Sequence, residues 1–185
     1  MKLSTKIFLL LTLCIITLSR QNGYGQSDYE LQHLPEFSLL DLDSQTINNK
    51  YIDGKFTVIH IATTWCPFCN AEAPHLQQLF EDYRDYGVKV LIIDVKESAD
   101  LVRNLLADRH QISFPILLDS DGSVAASMAP EHVLPDLARD EVMLASNILV
   151  DPTGKIQFMS LLDTRNFDAN LVDLKTKLNE LLNAQ

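Results

Sequence analysis

The stretch that decides the fold is Phe56-Thr57-Val58-Ile59-His60-Ile61-Ala62-Thr63-Thr64-Trp65-Cys66-Pro67-Phe68-Cys69. Phe56 to Thr63 is a β-branched and apolar run set off by Asp53-Gly54, which predicts a strong strand. Pro67 suits the first position of a helix, where its missing N–H costs nothing. Leu76, Leu79, Phe80 and Tyr83 then recur at helical spacing until Gly87 closes the segment near Tyr86. The cysteines therefore stand where a strand ends and a helix begins.

That junction has chemical consequences. Helix amides and the positive end of the helix dipole point at Cys66 and favour its thiolate, so Cys66 is the candidate nucleophile. Cys69, one turn further in, is placed to attack a mixed disulfide and is the candidate resolving residue. A disulfide closing so small a loop removes little chain entropy, and it suits chemistry better than stapling.

Working outward, Phe37 to Leu40 and the residues around Thr46-Ile47 predict two short strands about a turn at Asp41 to Ser44. Val88 to Val95 is a continuous apolar run expected of a buried central strand. Ser98 can cap a helix reaching about His110, with Leu101, Val102, Leu105 and Leu106 on its inner face. Phe114 to Leu118 predicts another strand. Ser123 to Ala145, with a helical turn at Val124 to Met128 and then Pro130 and Pro135, is an insertion of functional character. Asp151-Pro152-Thr153-Gly154 joins Asn147 to Val150 and Lys155 to Leu161 as a hairpin. Asn166 to Leu182 closes the chain as a helix with Leu171, Leu174, Leu178 and Leu181 on one side. This order predicts an α/β fold: a central mixed β-sheet flanked by helices, with an N-terminal β extension and an insertion before the last hairpin.

The chain has 185 residues, 46% of them hydrophobic, enough for one domain with a substantial core. Lys2 and Lys6 precede the apolar run Ile7 to Leu18, and Gly23-Tyr24-Gly25 offers small residues for cleavage. Residues 1–25 thus predict a signal peptide and residues 26–185 the domain, exported to the periplasm. An uncleaved N-terminal anchor is the alternative. The run falls short of the roughly 20 residues a spanning helix needs, and Cys14, after bulky Leu13, is an apolar member of the signal rather than a lipid site. Those 25 residues hold three of the 15 Lys and Arg and none of the 25 Asp and Glu, leaving a domain of net charge −13. So acidic a surface repels phosphate backbones and anionic lipid, which excludes nucleic acid as a partner.

Trp65-Cys66-Pro67-Phe68-Cys69 at the end of a strand, Glu72 and Pro74 in the helix after it, Phe114-Pro115 before Asp119, and Asp151 to Gly154 in the last hairpin together resemble the thioredoxin superfamily. The resemblance is to its exported TlpA/ResA-like branch, related to the AhpC/TSA proteins, and it covers roughly Glu36 to Leu182. It implies a thioredoxin-like fold and a protein disulfide oxidoreductase that exchanges its disulfide with protein dithiols and needs no cofactor. It also implies action as a reductant fed by a membrane electron donor.

By the same resemblance Glu72 tunes the thiol pKa values and shuttles a proton, against a plainer reading as a solvated carboxylate at a helix N-terminus. His60 occupies the position where thioredoxin has a buried Asp; a neutral imidazole there can take a proton from Cys69, and a hydrogen-bonded core histidine is the plainer reading. Trp65, Pro67 and Phe68 are candidate substrate-binding residues around the pair. The family carries a cis-proline facing the cysteines, and counting back from Asp151 places Ala145 there, in a trans bond since a non-proline cis bond costs about 2.5 to 4 kcal/mol. Part of substrate docking is then expected of Ser123 to Ala145. Two rivals remain. A peroxiredoxin-like peroxidase finds a hydroxyl at Thr63 but Ile59 where its proline should be. A metal-binding module would join Cys66 and Cys69 to His60 or His75, but no second close Cys or His pair exists to complete a metal site.

Overall fold

The computed structural model describes residues 32–184; the proposed signal peptide lies outside them. Seven strands form one sheet: β1 (Ser38–Asp41), β2 (Thr46–Asn48), β3 (Thr57–Ala62), β4 (Lys89–Val95), β5 (Ile116–Asp119), β6 (Ser146–Val150) and β7 (Ile156–Ser160). Their order is β2-β1-β5-β4-β3-β6-β7. Among the described residues six α-helices accompany them: α1 (Asn49–Ile52), α2 (Pro67–Tyr83), α3 (Ala99–Val102), α4 (Ser123–Met128), α5 (Arg139–Val142) and α6 (Val172–Asn183). The β3-β4 and β4-β5 pairs are parallel, as crossovers through α2 and α3 require, whereas β3-β6, β6-β7, β1-β5 and β1-β2 are antiparallel. The sheet is mixed, with β1 and β2 as the N-terminal extension.

All six residues of β3 are buried, and strand alternation divides them between two cores. Val58 and Ala62 pack with Cys66, Cys69, Leu76 and Leu79 of the α2 region and with Leu174 and Leu178 of α6. Ile59 and Ile61 face the other way, toward Ile93, Ile148, Ala125, Met128 and Met143. Each such aliphatic side chain contributes about 1.5–3 kcal/mol by leaving water. His60 shares the parity of Val58 and Ala62, so it points to the cysteine side.

Three sequence expectations are corrected. In the helix after Ser98 only Val102 and Leu106 are buried; Leu101 and Leu105 are 40% and 42% exposed, because the turn widens to a π form over Arg103–Asp108 and rotates the apolar face. The final helix starts at Val172 rather than Asn166. Leu171 has φ 56°, which breaks helical continuity, and the Asp168 carboxylate accepts from the Asp173 N–H at 3.1 Å. The insertion lies on the sheet face away from the cysteines, where Ala125, Met128 and Met143 pack, and of its buried residues only Ala145 joins the cysteine-side core. Substrate docking by the body of Ser123 to Ala145 is not supported by that placement.

Candidate active site

The turn between β3 and α2 is held from several sides. Cys66 is the N-cap of α2, its Sγ accepting the Cys69 N–H at 3.2 Å. The Asn70 amide donates to the carbonyls of Thr64 and Cys66, each at 2.8 Å, and its Oδ1 lies 3.1 Å from His110 Nε2. Thr64 donates both its N–H and its hydroxyl to the Glu97 carboxylate, the latter at 2.7 Å. Four groups from three parts of the chain thus fix where the Cys66 sulfur points.

The two thiols, not joined in a disulfide, differ sharply in environment. Cys66 is held at about 6, below its ordinary value. A hydrogen bond from the Cys69 thiol is the main cause, and the Cys69 and Phe68 amides add to it against the opposing effect of burial. Cys69 is fully buried, with Sγ 3.9 Å from the Ile61 carbonyl oxygen. Its thiol is pushed far up, first by donating to Cys66, then by burial and by the negative charge of Cys66, with Glu72 adding a smaller push. One sulfur is a ready thiolate and the other a held proton.

Behind the pair three polar side chains converge from α2, β3 and β6. Asn147 Nδ2 donates to Glu72 Oε1 at 3.0 Å, Asn147 Oδ1 lies 3.0 Å from His60 Nδ1, and His60 Nδ1 lies 3.5 Å from Glu72 Oε2. None of the three is more than 3% exposed. Burial raises the Glu72 carboxyl to about 8, with Cys66 and Asp168 adding negative charge and the Asn147 hydrogen bond pulling the other way. Burial likewise lowers His60 to about 4, against hydrogen bonds to Asn147 and the Ser146 backbone. At neutral pH the imidazole is uncharged and the carboxyl holds its proton. Glu72 is therefore no solvated helix-end carboxylate, and the His60 ring bonds Asn147 beside it.

Around the opening, Trp65 is 68% exposed and Pro67 is exposed beside it. Phe68 is half-buried and meets Phe167 edge-on, ring centroids 4.9 Å apart. Ala145 is buried at φ 57°, and its N–H donates to the Ile61 carbonyl at 2.9 Å; none of the described residues follows a cis bond. A cavity of about 90 Å³ lies between Glu72, Asn147, Ala145, Phe158, Phe167 and Asp168. Among the described residues no group of three His, Cys, Asp or Glu side chains is placed to hold a metal ion.

Asn147, Phe167, Thr64 and Glu97 were not singled out from the sequence. Asn147 carried a usable signal: it is a polar residue in an apolar strand, and hairpin alternation places it on the same face as Ala145 and Leu149. Asp94 is a further buried carboxyl, directly beside Ala62 in the β3-β4 register, and burial followed by the charge of Glu97 raises it to about 8.

Comparison with known proteins agrees with this geometry. Residues 31–159 match the AhpC/TSA family. The chain is 25% identical over 159 residues to the thiol-disulfide oxidoreductase ResA of Bacillus thuringiensis subsp. konkukian, covering 84% of this chain and 85% of that one. It is 26% identical over 151 residues to ResA of Bacillus subtilis, covering 80% and 78%. Among solved structures it is similar in fold to a putative protein disulfide isomerase from Bacteroides thetaiotaomicron, with TM-score 0.66, 20% identity and coverage of 82% and 89%. A secreted disulfide oxidoreductase of Mycobacterium tuberculosis gives TM-score 0.62, 21% identity and coverage of 78% and 95%. With a mixed seven-stranded sheet and a Cys-x-x-Cys pair at the start of α2, the chain belongs to the AhpC/TSA family and is a ResA/TlpA-like member of the thioredoxin superfamily.

Proposed function

We propose that this protein is an exported thiol-disulfide oxidoreductase that reduces disulfides in other proteins, with Cys66 attacking and Cys69 resolving. The observation that carries the reading is the asymmetry of the pair: a thiolate-forming sulfur at a helix N-cap beside exposed Trp65 and Pro67, and a proton-holding sulfur buried behind it.

The Cys66 thiolate attacks one sulfur of the client disulfide, forming a mixed disulfide and expelling the client's other sulfur as thiolate. Cys69 then loses its proton and attacks Cys66 Sγ. The mixed bond breaks, the second client thiolate leaves, and Cys66 and Cys69 end oxidised by two electrons. Glu72 takes the Cys69 proton, a reading supported by its burial behind the pair and its charge coupling to both sulfurs. The charge of the Cys66 thiolate helps to hold Glu72 protonated, and that charge disappears once Cys66 is in the mixed disulfide. The carboxyl thus becomes a better acceptor when resolution needs one. His60 serves Glu72 from behind. Trp65, Pro67, Phe68 and Ala145 border the path by which a client segment reaches the sulfur.

Each turnover leaves an oxidised pair, so an external dithiol must restore it; a membrane electron donor fits an exported protein led by residues 1–25 as signal peptide. The names borne by the ResA relatives support the reaction class. Among the described residues no helix is long and apolar enough to cross a membrane. The test is the Cys69→Ser variant, expected to accumulate mixed disulfides with client proteins, together with the reduction potential of the couple. A potential near or below about −250 mV supports a reductant, and one above about −150 mV makes it an oxidant. Failure to form any intramolecular disulfide overturns the reading.

A further inference from the structure

We propose that Asn147 is a positioning residue for the resolving step, holding Glu72 and His60 together as a unit that accepts one proton from Cys69. This rests on the oxidoreductase reading above and extends it to a residue on a strand remote from the cysteines in sequence.

The geometry is closed. Asn147 stands directly opposite His60 in the antiparallel β3-β6 register, so its position is set by backbone pairing. Its single amide bonds the other two members at 3.0 Å each, through Nδ2 to Glu72 and through Oδ1 to His60 Nδ1. Since Oδ1 only accepts, His60 Nδ1 carries the hydrogen, and this same hydrogen faces Glu72 Oε2 at 3.5 Å. An ionised Glu72 meets the Asn147 amide at Oε1, while the His60 ring hydrogen, engaged by Asn147 Oδ1, lies near Oε2 without bonding it. The Asn147 donor is fixed before the proton moves, which is what a buried base needs.

The groups facing Glu72 come from every neighbouring element. Cys66 and Cys69 lie on its own helix segment, His60 on β3, Asn147 on β6, and Asp168 on the loop between β7 and α6. Cys66, Cys69 and Asp168 oppose ionisation of Glu72 when charged. The Asn147 hydrogen bond opposes that trend, and it does so without a formal charge. Removing the Asn147 amide deletes the hydrogen bond to the carboxylate and releases the His60 ring held beside it.

The experiment follows the reduced protein mixed with dipyridyl disulfide across pH, reading release of thiopyridone by stopped flow. The first equivalent reports attack by Cys66 and the second reports resolution by Cys69. In the wild type the second phase is expected to follow the ionisation of Glu72, and Glu72→Gln to abolish that inflection. Asn147→Ala should shift the inflection upward by about one pH unit, the size expected from losing a hydrogen bond to a charged group. Below the inflection it should slow the second phase about tenfold, with the first phase unchanged within twofold. A merely structural Asn147 would lower Tm without moving the profile, and an unmoved profile in Asn147→Ala overturns the proposal while leaving the oxidoreductase reading in place. If Asn147→Ala does not fold, Asn147→Ser is read by the same criterion. Retention of the inflection in Glu72→Gln overturns the proposal through its base, and absence of any second equivalent in the wild type overturns the oxidoreductase reading itself.

Discussion

His60 and Asn147 are cross-strand partners in the β3-β6 ladder, and their side chains meet at 3.0 Å on the same face of the sheet as Cys69. The hairpin that follows the insertion therefore helps to set where Glu72 sits, although no part of it belongs to the Cys-x-x-Cys segment. A hydrogen bond between strands, joining residues 87 apart, thus reaches the carboxyl behind the cysteines.

The Cys66 thiol should titrate near pH 6, so alkylation by iodoacetamide should reach half its limiting rate there, with Cys69 unreactive in the folded protein. The largest cause of the low value is the Cys69 hydrogen bond. Cys69→Ala should accordingly move the midpoint toward alkaline pH, and an unchanged midpoint would assign the shift to the helix end alone.

Glu72 should cost stability. Below about pH 4.5 it is protonated both folded and unfolded and makes no difference. As pH rises from there the unfolded chain ionises, while the folded chain keeps its proton up to about 8, so stability falls across that window and levels off above it. The cost grows by about 1.4 kcal/mol for each pH unit at most. Glu72→Gln should raise Tm at pH 8 but not at pH 4, and should slow resolution. His60 works in the other direction: neutral down to about 4 when folded, it withdraws stability as pH falls from about 6.5 to 4.

Asp94 offers a contrast. Its carboxyl is fully buried and also titrates near 8 when folded, so stability is again lost as pH rises from about 3.8 to 8. Asp94→Asn should raise Tm at pH 7 by several degrees, at about 2–4 °C per kcal/mol for a chain of this size. Asp94 is coupled to Glu97, which holds Thr64, rather than to the Glu72 group, so Asp94→Asn should leave the Glu72-dependent pH inflection of resolution unmoved. A moved inflection would place Asp94 in the machinery.

Restoring the family's proline at 145 should fail. Ala145 has φ 57°, which a pyrrolidine ring fixed near −65° cannot adopt, and its N–H already donates to Ile61. Ala145→Pro should destabilise by about 3 kcal/mol or more in urea unfolding. Ala145→Gly should be neutral or stabilising by up to about 1 kcal/mol, because glycine occupies the left-handed region freely.

Much of this was legible in the sequence because local signals and long-range packing agreed. The run from Phe56, the proline after Cys66 and the Asp151 to Gly154 turn each specify one element, and together they imply a mixed sheet with the cysteines at a strand-to-helix junction. His60 was visible as an odd polar residue in an apolar strand, and Glu72 through the family resemblance. What the sequence hid was pairing in space. Asn147 acquires its meaning from the β3-β6 register, Phe167 from a loop that folds back on Phe68, and Glu97 from a bend after β4 that reaches Thr64. The exposed Leu101 and Leu105 were misread because a widened turn changes helical phase, and nothing in residue spacing announces it.

The sheet has redox chemistry on one side and the 123–143 insertion on the other. It acts as a bulkhead: two compartments of the molecule share a wall and little else. Changes in length or charge around Leu134, on an exposed bend of that insertion, can accumulate without reaching the sulfurs. That remote side is free ground on which a lineage can build a new attachment, and on which an experimenter can graft a label while the electron-carrying side stays as it was.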